Sequence, residues 1–266
     1  MADALLEARE VSKTFPRRGG ILPGPRGAVE AVREVSCSLS PGETLGLVGE
    51  SGCGKTTLAK LLVGLVRPNR GEVLIHGQPI NRLRGASLLA ARRAVQFIFQ
   101  DPVNSLNPRM RVEEILSEPL IIHRLASGEA RRRRVDELLD TVQLPADYRR
   151  RLPRELSGGE RQRIGIARAL AVEPEALICD EPIASLDVSV GAQILILLQT
   201  LCQERRTALL FISHDLRAVA TLCGRIAVMR AGQLIETAQT DALLSHPGHP
   251  YTELLIRSAE LDLDAV

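Results

Sequence analysis

The sequence predicts an α/β fold, a mainly parallel sheet covered on both faces by helices, on three observations. Strand-like segments alternate with helical ones, a glycine loop joins a strand to a helix at 49–56, and residues 111–155 lose all strand-like alternation. Leu5 to Phe15, Val29 to Leu39 and Thr44 to Val48 are rich in apolar and β-branched residues and are punctuated by Pro41-Gly42, so they read as strands. Residues 16–27, a Gly/Pro/Arg stretch, read as a loop. From Lys55 the period changes, with Leu58, Leu61, Leu62 and Leu65 on one helical face, and Glu72 to His76 and Ala94 to Phe99 follow as strands. Within 111–155, Val112-Glu-Glu-Ile-Leu and Arg134-Val-Asp-Glu-Leu-Leu are amphipathic helical patterns, which marks a helical subdomain. Alternation returns with the strand Ala176 to Asp180, a helix around Gln193 to Cys202, and the strands Ala208 to Ser213 and Arg225 to Arg230.

Composition excludes several classes. The 266 residues are 45% hydrophobic and 25% charged, enough to bury a full core as one large domain or a domain with an insert. A net charge of +2 steers the chain neither to nucleic acid nor to an anionic membrane. With no Trp, two Tyr and four Phe, a base-stacking surface is not expected, and neither is nucleic-acid binding. The runs Arg131 to Arg134 and Arg149 to Arg151 read as solvated helix faces. The five cysteines contain no CxxC pair, so a disulfide framework or zinc knuckle is not expected. The N-terminus lacks the basic head and apolar middle of a signal peptide, and no apolar run approaches the ~20 residues of a membrane helix.

The sharpest signal is Gly49-Glu50-Ser51-Gly52-Cys53-Gly54-Lys55-Thr56, a G-x-x-x-x-G-K-[ST] phosphate loop, with a helix beginning near Lys55 and Thr57 in its first turn. Its glycines let successive amides curl inward and the following helix adds its positive end, which makes an anion cradle. Lys55 is placed to approach the β- and γ-phosphates of a nucleotide, where a unit-charge contact at about 4 Å is worth on the order of 4 kcal/mol at an effective dielectric of about 20, before desolvation. Thr56 offers a hydroxyl to Mg²⁺. Cys53 reads as a loop filler. Asp180 and Glu181 end an apolar strand at the edge where open α/β sheets bind ligands. Asp180 suits magnesium held through water and Glu181 suits a general base; the pair read alone would also serve as a helix N-cap before Pro182.

Leu156-Ser157-Gly158-Gly159-Glu-Arg-Gln-Arg163, 23 residues upstream of Asp180 (180 − 157), resembles the signature of ATP-binding cassette (ABC) ATPases. The resemblance covers nearly the whole chain. It implies the P-loop NTPase ABC ATPase fold as a single domain over 1–266, with an N-terminal antiparallel β subdomain, an inserted α-helical subdomain at 100–165 and a short helical tail at 240–266. It further implies that Gln100 in Phe99-Gln-Asp-Pro is the Q-loop residue, catalytic and near the metal, that Asp187 in Ser185-Leu-Asp is the D-loop acid, and that His214, 34 residues after Asp180 (214 − 180), is the switch histidine. Phe15 matches the aromatic that stacks on adenine. Each has a plainer alternative: a polar loop residue for Gln100, a capped surface residue for His214, a core residue for Phe15. In this family two domains pair head to tail, and the signature of one closes on the γ-phosphate bound by the other.

Phe99 to Arg109 and His246-Pro-Gly-His-Pro-Tyr251-Thr-Glu-Leu-Leu255 resemble the oligopeptide, dipeptide and nickel import ATPases within the superfamily. That resemblance implies a second-type ATPase subunit at the cytoplasmic face of the bacterial inner membrane. Its partners would be a homologous ATPase subunit, two transmembrane permeases and an external substrate-binding protein, with peptide or nickel as cargo. The chain departs from the pattern at Ile183, where Thr is usual, and at Ala184-Ser185 in place of Ser-Ala; both acids remain, so hydrolysis is still expected. It lacks the cysteine cluster of relatives with an iron–sulfur centre. A non-transport ABC ATPase would show two cassettes or a long coiled-coil insert, and a regulatory nucleotide binder would lack Glu181 or His214.

Overall fold

Strand β1 (Leu6–Pro16) pairs antiparallel with β2 (Ala28–Leu39) from Leu6↔Leu39 to Pro16↔Ala28, with register shifts between Ala8 and Thr14. The computed structural model describes residues 4–16, 28–100 and 105–261, so the Gly/Pro/Arg stretch from 17 onward and residues 101–104 lie outside it. The chain then forms β3 (Thr44–Val48), α1 (Lys55–Leu62), β4 (Arg70–Ile75) and β5 (Gln78–Pro79). Next come α2 (Gly85–Ala94), β6 (Val95–Ile98), α3 (Val112–Ile122), α4 (Gly128–Thr141), α5 (Gly158–Leu170), β7 (Ala176–Asp180), α6 (Val188–Arg205) and β8 (Ala208–Ile212). The last elements are α7 (Leu216–Leu222), β9 (Arg225–Arg230), β10 (Gln233–Gln239), α8 (Thr240–Ser245) and α9 (Pro250–Leu261).

Two units divide these elements, one made of residues 1–84 and 210–266 and the other of residues 85–209. In the first, β2-β1-β4-β5 form a four-stranded antiparallel sheet, the N-terminal β layer. Beside it, β3 runs parallel to β9 from Leu45↔Arg225 to Val48↔Val228, and β10 returns antiparallel along β9. Val11, Val32, Val73, Leu58 and Leu61 are fully buried here, and each such side chain contributes roughly 1.5–3 kcal/mol.

In the second unit β6 lies parallel to β7, from Val95↔Ala176 to Ile98↔Cys179, and the helical stretch follows β6. Val112, Ile115, Leu116 and Leu120 of α3 and Val135, Leu138 and Leu139 of α4 are buried, the i, i+3, i+4 spacing that the sequence showed. The arginine runs are half-buried to exposed, and several members pair with acids, such as Arg149 with Asp136 at 3.4 Å and Arg151 with Asp147 at 3.4 Å, contacts of little net stability.

One helical assignment is corrected. Leu65 does not join Leu58, Leu61 and Leu62; it is 58% exposed, because α1 stops at Leu62. Gly64 takes a φ of +69°, its N–H donates to Leu61 O and that of Leu65 to Lys60 O, a Schellman ending that turns the chain away before another apolar position can be used.

Candidate nucleotide site

In the first unit the phosphate loop leaves β3 and enters α1 at Lys55. Gly54 is the N-cap of α1 with φ +115°, and a Cβ there would lie 2.2 Å from Ala31 O, so no other residue fits. No side chain caps this helix, which leaves its N-terminus suited to an anion. Lys55 is 5% exposed and its Nζ donates to Gly49 O at 2.7 Å and Glu50 O at 2.9 Å. The turn between β9 and β10 braces the loop: Gly232 N donates to Cys53 O at 2.9 Å, while Arg33 N donates to Gly232 O at 2.8 Å. Burial pushes the Cys53 thiol up against the pull of Lys55, which keeps it a thiol and agrees with a filling role.

His214 follows β8 and is exposed, lining a cavity of about 370 Å³ with Gly49, Leu216, Arg217 and Leu255. The helix after it is capped by Asp215, whose Oδ1 accepts from Arg217 N at 2.9 Å and Ala218 N at 3.3 Å. Phe15 is 38% exposed near the end of β1, its ring 5.2 Å from Lys13 Nζ. The core alternative for Phe15 does not hold.

In the second unit Asp180 ends β7 and is 3% exposed. Glu181 adopts φ +46°, a left-handed backbone that costs a non-glycine residue of order 1 kcal/mol and concentrates at functional positions. Gln100 Nε2 donates to Glu181 Oε2 at 3.1 Å, so the residue after β6 and the acid after β7 meet. Residues 181–186 form turns, and the N-cap of the next helix is Asp187, so Asp180 and Glu181 are not a cap.

The signature forms the start of α5. Ser157 Oγ accepts from Glu160 N at 3.3 Å, and Glu160 Oε2 accepts from Ser157 N at 2.6 Å, a reciprocal capping box. The Tyr148 hydroxyl, 2.5 Å from Glu160 Oε1, draws the Glu160 carboxyl below its usual range, and the Ser157 amide and hydroxyl add to this. Gly159 packs against α6: a Cβ there would come 2.4 Å from Val190 Cγ1. Arg163 of the same helix donates to Val142 O at 2.8 Å and Gln193 Oε1 at 3.2 Å, and Arg168 donates to Ser105 O at 2.7 Å, which locks the signature helix to its neighbours.

Residues 32–184 match the family described as ABC transporter, more than half of the chain. The chain belongs to the ABC transporter ATPase family. It is 47% identical over 263 residues, 98% of this chain and 84% of the relative, to the oligopeptide transport ATP-binding protein OppF of Bacillus subtilis (strain 168). It is also 47% identical over 259 residues, 97% and 73% of the two chains, to the probable peptide ABC transporter ATP-binding protein y4tS of Sinorhizobium fredii (strain NBRC 101917 / NGR234). Its fold is similar to the dimeric post-hydrolysis ATP-binding cassette MJ0796 bound to ADP and Pi, with a TM-score of 0.77 and 30% identity over 88% of this chain and 98% of that one. As an ABC ATPase the chain binds and hydrolyses ATP.

The sequence used the tail of this ABC ATPase only as a family marker, and the structure gives it contacts. Glu236 of β10 accepts from Gly248 N at 2.7 Å, His249 N at 3.1 Å and Thr252 Oγ1 at 2.5 Å. Burial raises the Glu236 pKa, but the Thr252 hydroxyl and the two amides overcome this and hold the carboxyl below its usual range. A depressed carboxylate contributes stability above its unfolded pKa and loses it as pH falls through the folded value. Glu236→Gln is therefore expected to melt below wild type at neutral pH, and thermal melts should show the gap closing as acid takes the solution through that lowered value.

Among the described residues no helix is long and apolar enough to cross a membrane.

Proposed function

We propose that this chain is the ATPase subunit of a peptide importer of the binding-protein-dependent type, working peripherally at the cytoplasmic face of a bacterial inner membrane. The 47% identity to OppF across 98% of the chain carries this reading, since the likeness extends through the tail as well as the shared cassette. The whole of 1–266 then acts as one ABC ATPase domain with its helical part at 100–165.

Gly49 to Thr57 cradle the phosphates, Lys55 neutralises charge at the β- and γ-phosphates, and Phe15 stacks on the adenine. Mg²⁺ suits the hard oxygens of Thr56, Asp180 and Gln100. When bound, the ion neutralises charge that builds on the phosphate oxygens. Water oxygen attacks the γ-phosphorus, the bond to the β–γ bridging oxygen breaks to leave ADP, and Glu181 takes the water proton. Gln100 holds the Glu181 carboxylate, and His214 donates to the γ-phosphate. Ser157, Gly158 and Gly159 of a paired ATPase subunit contact the same γ-phosphate, with Asp187 at the junction, so ATP favours a closed dimer and hydrolysis releases it.

Exposed apolar groups support these partners. Val188 is 92% exposed directly after Asp187, which suits pairing of two cassettes. On α3, Ile121 and Ile122 are 53% and 54% exposed beside a cavity of about 670 Å³ that none of the candidate site residues lines, which suits docking of a permease segment.

The test is reconstitution in liposomes with the neighbouring permeases, companion ATPase and binding protein. ATP-driven uptake of oligopeptide, with turnover stimulated by the loaded binding protein, is expected. Uptake of nickel without peptide would reassign the cargo, and recovery of the chain with ribosomes or DNA and no permease would overturn the transport reading.

A further inference from the structure

The His-Pro-Gly-His-Pro-Tyr-Thr segment takes no part in the chemistry above, yet several of its polar atoms are engaged within the first unit. Pro250 opens α9, where its missing N–H and fixed φ suit the first turn. His249 precedes it, and its Nδ1 accepts from Tyr251 N at 3.0 Å, as a capping side chain does. Glu236 clamps Gly248, His249 and Thr252 from β10. The result is a Tyr251 side chain only 4% exposed, with the Arg230 guanidinium 4.7 Å from its ring centroid.

The Tyr251 hydroxyl reaches the phosphate loop. It accepts from Glu50 N at 3.1 Å, across 201 residues of sequence. That N–H shares a peptide plane with Gly49 C=O, and Gly49 O is the atom that accepts from Lys55 Nζ at 2.7 Å. A planar trans peptide directs its N–H and C=O in opposite directions, so a hydroxyl holding the N–H on one side fixes the carbonyl toward the lysine on the other. The following carbonyl, Glu50 O, accepts from both Lys55 Nζ at 2.9 Å and Cys53 N at 3.2 Å, so the orientation of this first turn bears on the whole loop.

The same helix also reaches the element after the switch histidine. Arg217 of α7 donates to Ala259 O of α9 through Nε at 3.1 Å and through Nη2, and Leu255 and Ser258 of α9 line the cavity shared with Gly49 and His214. One short helix is thus tied to the turn that opens the phosphate loop and to the helix that follows His214.

We infer that Tyr251 is a positioning residue for ATP binding: its hydroxyl sets the Gly49–Glu50 peptide, and through it the resting place of the Lys55 ammonium. This rests on the reading of Lys55 as the phosphate-binding lysine. Burial pushes the Tyr251 phenol up, and its hydroxyl therefore stays protonated through the range in which the enzyme works.

Tyr251→Phe keeps the ring and its Arg230 contact and removes only the hydroxyl. In the full-length chain assembled with its permeases and companion ATPase, the variant is expected to raise KM for ATP about fivefold, the loss of one hydrogen bond, with kcat within about twofold of wild type. Hydrogen exchange at the Glu50 amide should quicken by a similar factor in the purified chain. A KM equal to wild type, or a fall in kcat with KM unchanged, would overturn the assignment, as would an unaltered Glu50 amide. Should Tyr251→Phe not be recoverable, Glu236→Gln loosens the same tail without touching Tyr251 and is read by the same KM and exchange criteria. Lys55→Ala in parallel separates the two readings: wild-type ATP affinity in that variant removes the basis in Lys55, whereas a loss there beside an unaffected Tyr251→Phe removes only the role of the tail.

Discussion

Glu181→Gln should lower ATP turnover by about 10²–10⁴-fold while leaving ATP binding near wild type. The substitution keeps the length and volume of the side chain, and its carboxamide oxygen still accepts the 3.1 Å bond from Gln100 Nε2. What it loses is the capacity to take a proton from water. Glutamine bears the same left-handed backbone at φ +46° as glutamate does, so thermal stability should not move. With hydrolysis stalled, the contacts that favour the closed pair persist, and size-exclusion chromatography of the variant with ATP should show dimer where wild type returns to monomer. Turnover within about threefold of wild type in the assembled transporter would place the proton acceptor elsewhere.

Lys55→Ala should raise the ATP dissociation constant by about 10- to 100-fold, the scale of a charge-assisted hydrogen bond lost. The ammonium is 5% exposed and held by two carbonyls of its own loop, so it is already at the cradle before nucleotide arrives and little ordering is needed on binding. Arginine should not rescue it, because a broad planar guanidinium does not fit where a compact ammonium sits between Gly49 O and Glu50 O. Titration calorimetry with ATP distinguishes the outcomes, and wild-type affinity in Lys55→Ala would contradict the role of the loop.

The elements most legible in the sequence are those with a strong local pattern. The strands Thr44–Val48, Ala176–Asp180 and Ala208–Ile212 are short, almost wholly apolar and fully or nearly fully buried, and each was read within a residue or so. Strand β10 and helix α2 are among the elements that the sequence does not reveal. Strand β10 has no buried residue, so Gln233–Gln239 carries no apolar alternation to betray it, and it exists because β9 offers a free edge. Helix α2 buries only Ala91 and Ala94, and so it lacks the stripe by which an amphipathic helix is recognised. The end of α1 was overrun because Leu65 continues the spacing past a glycine that takes a left-handed turn.

Site residues divide in the same way. The phosphate loop and the acids after β7 are contiguous motifs legible from residue type and short spacing, whereas the signature and His214 are legible in the amino-acid order only through the family resemblance. That Gln100 holds Glu181, that Glu160 closes a capping box under a tyrosine, and that a tail tyrosine holds the opening peptide of the phosphate loop were decided only by tertiary structure. The reason is range: backbone propensity and glycine geometry act over a few residues, whereas the bond between Tyr251 and Glu50 joins groups 201 residues apart that no local pattern relates.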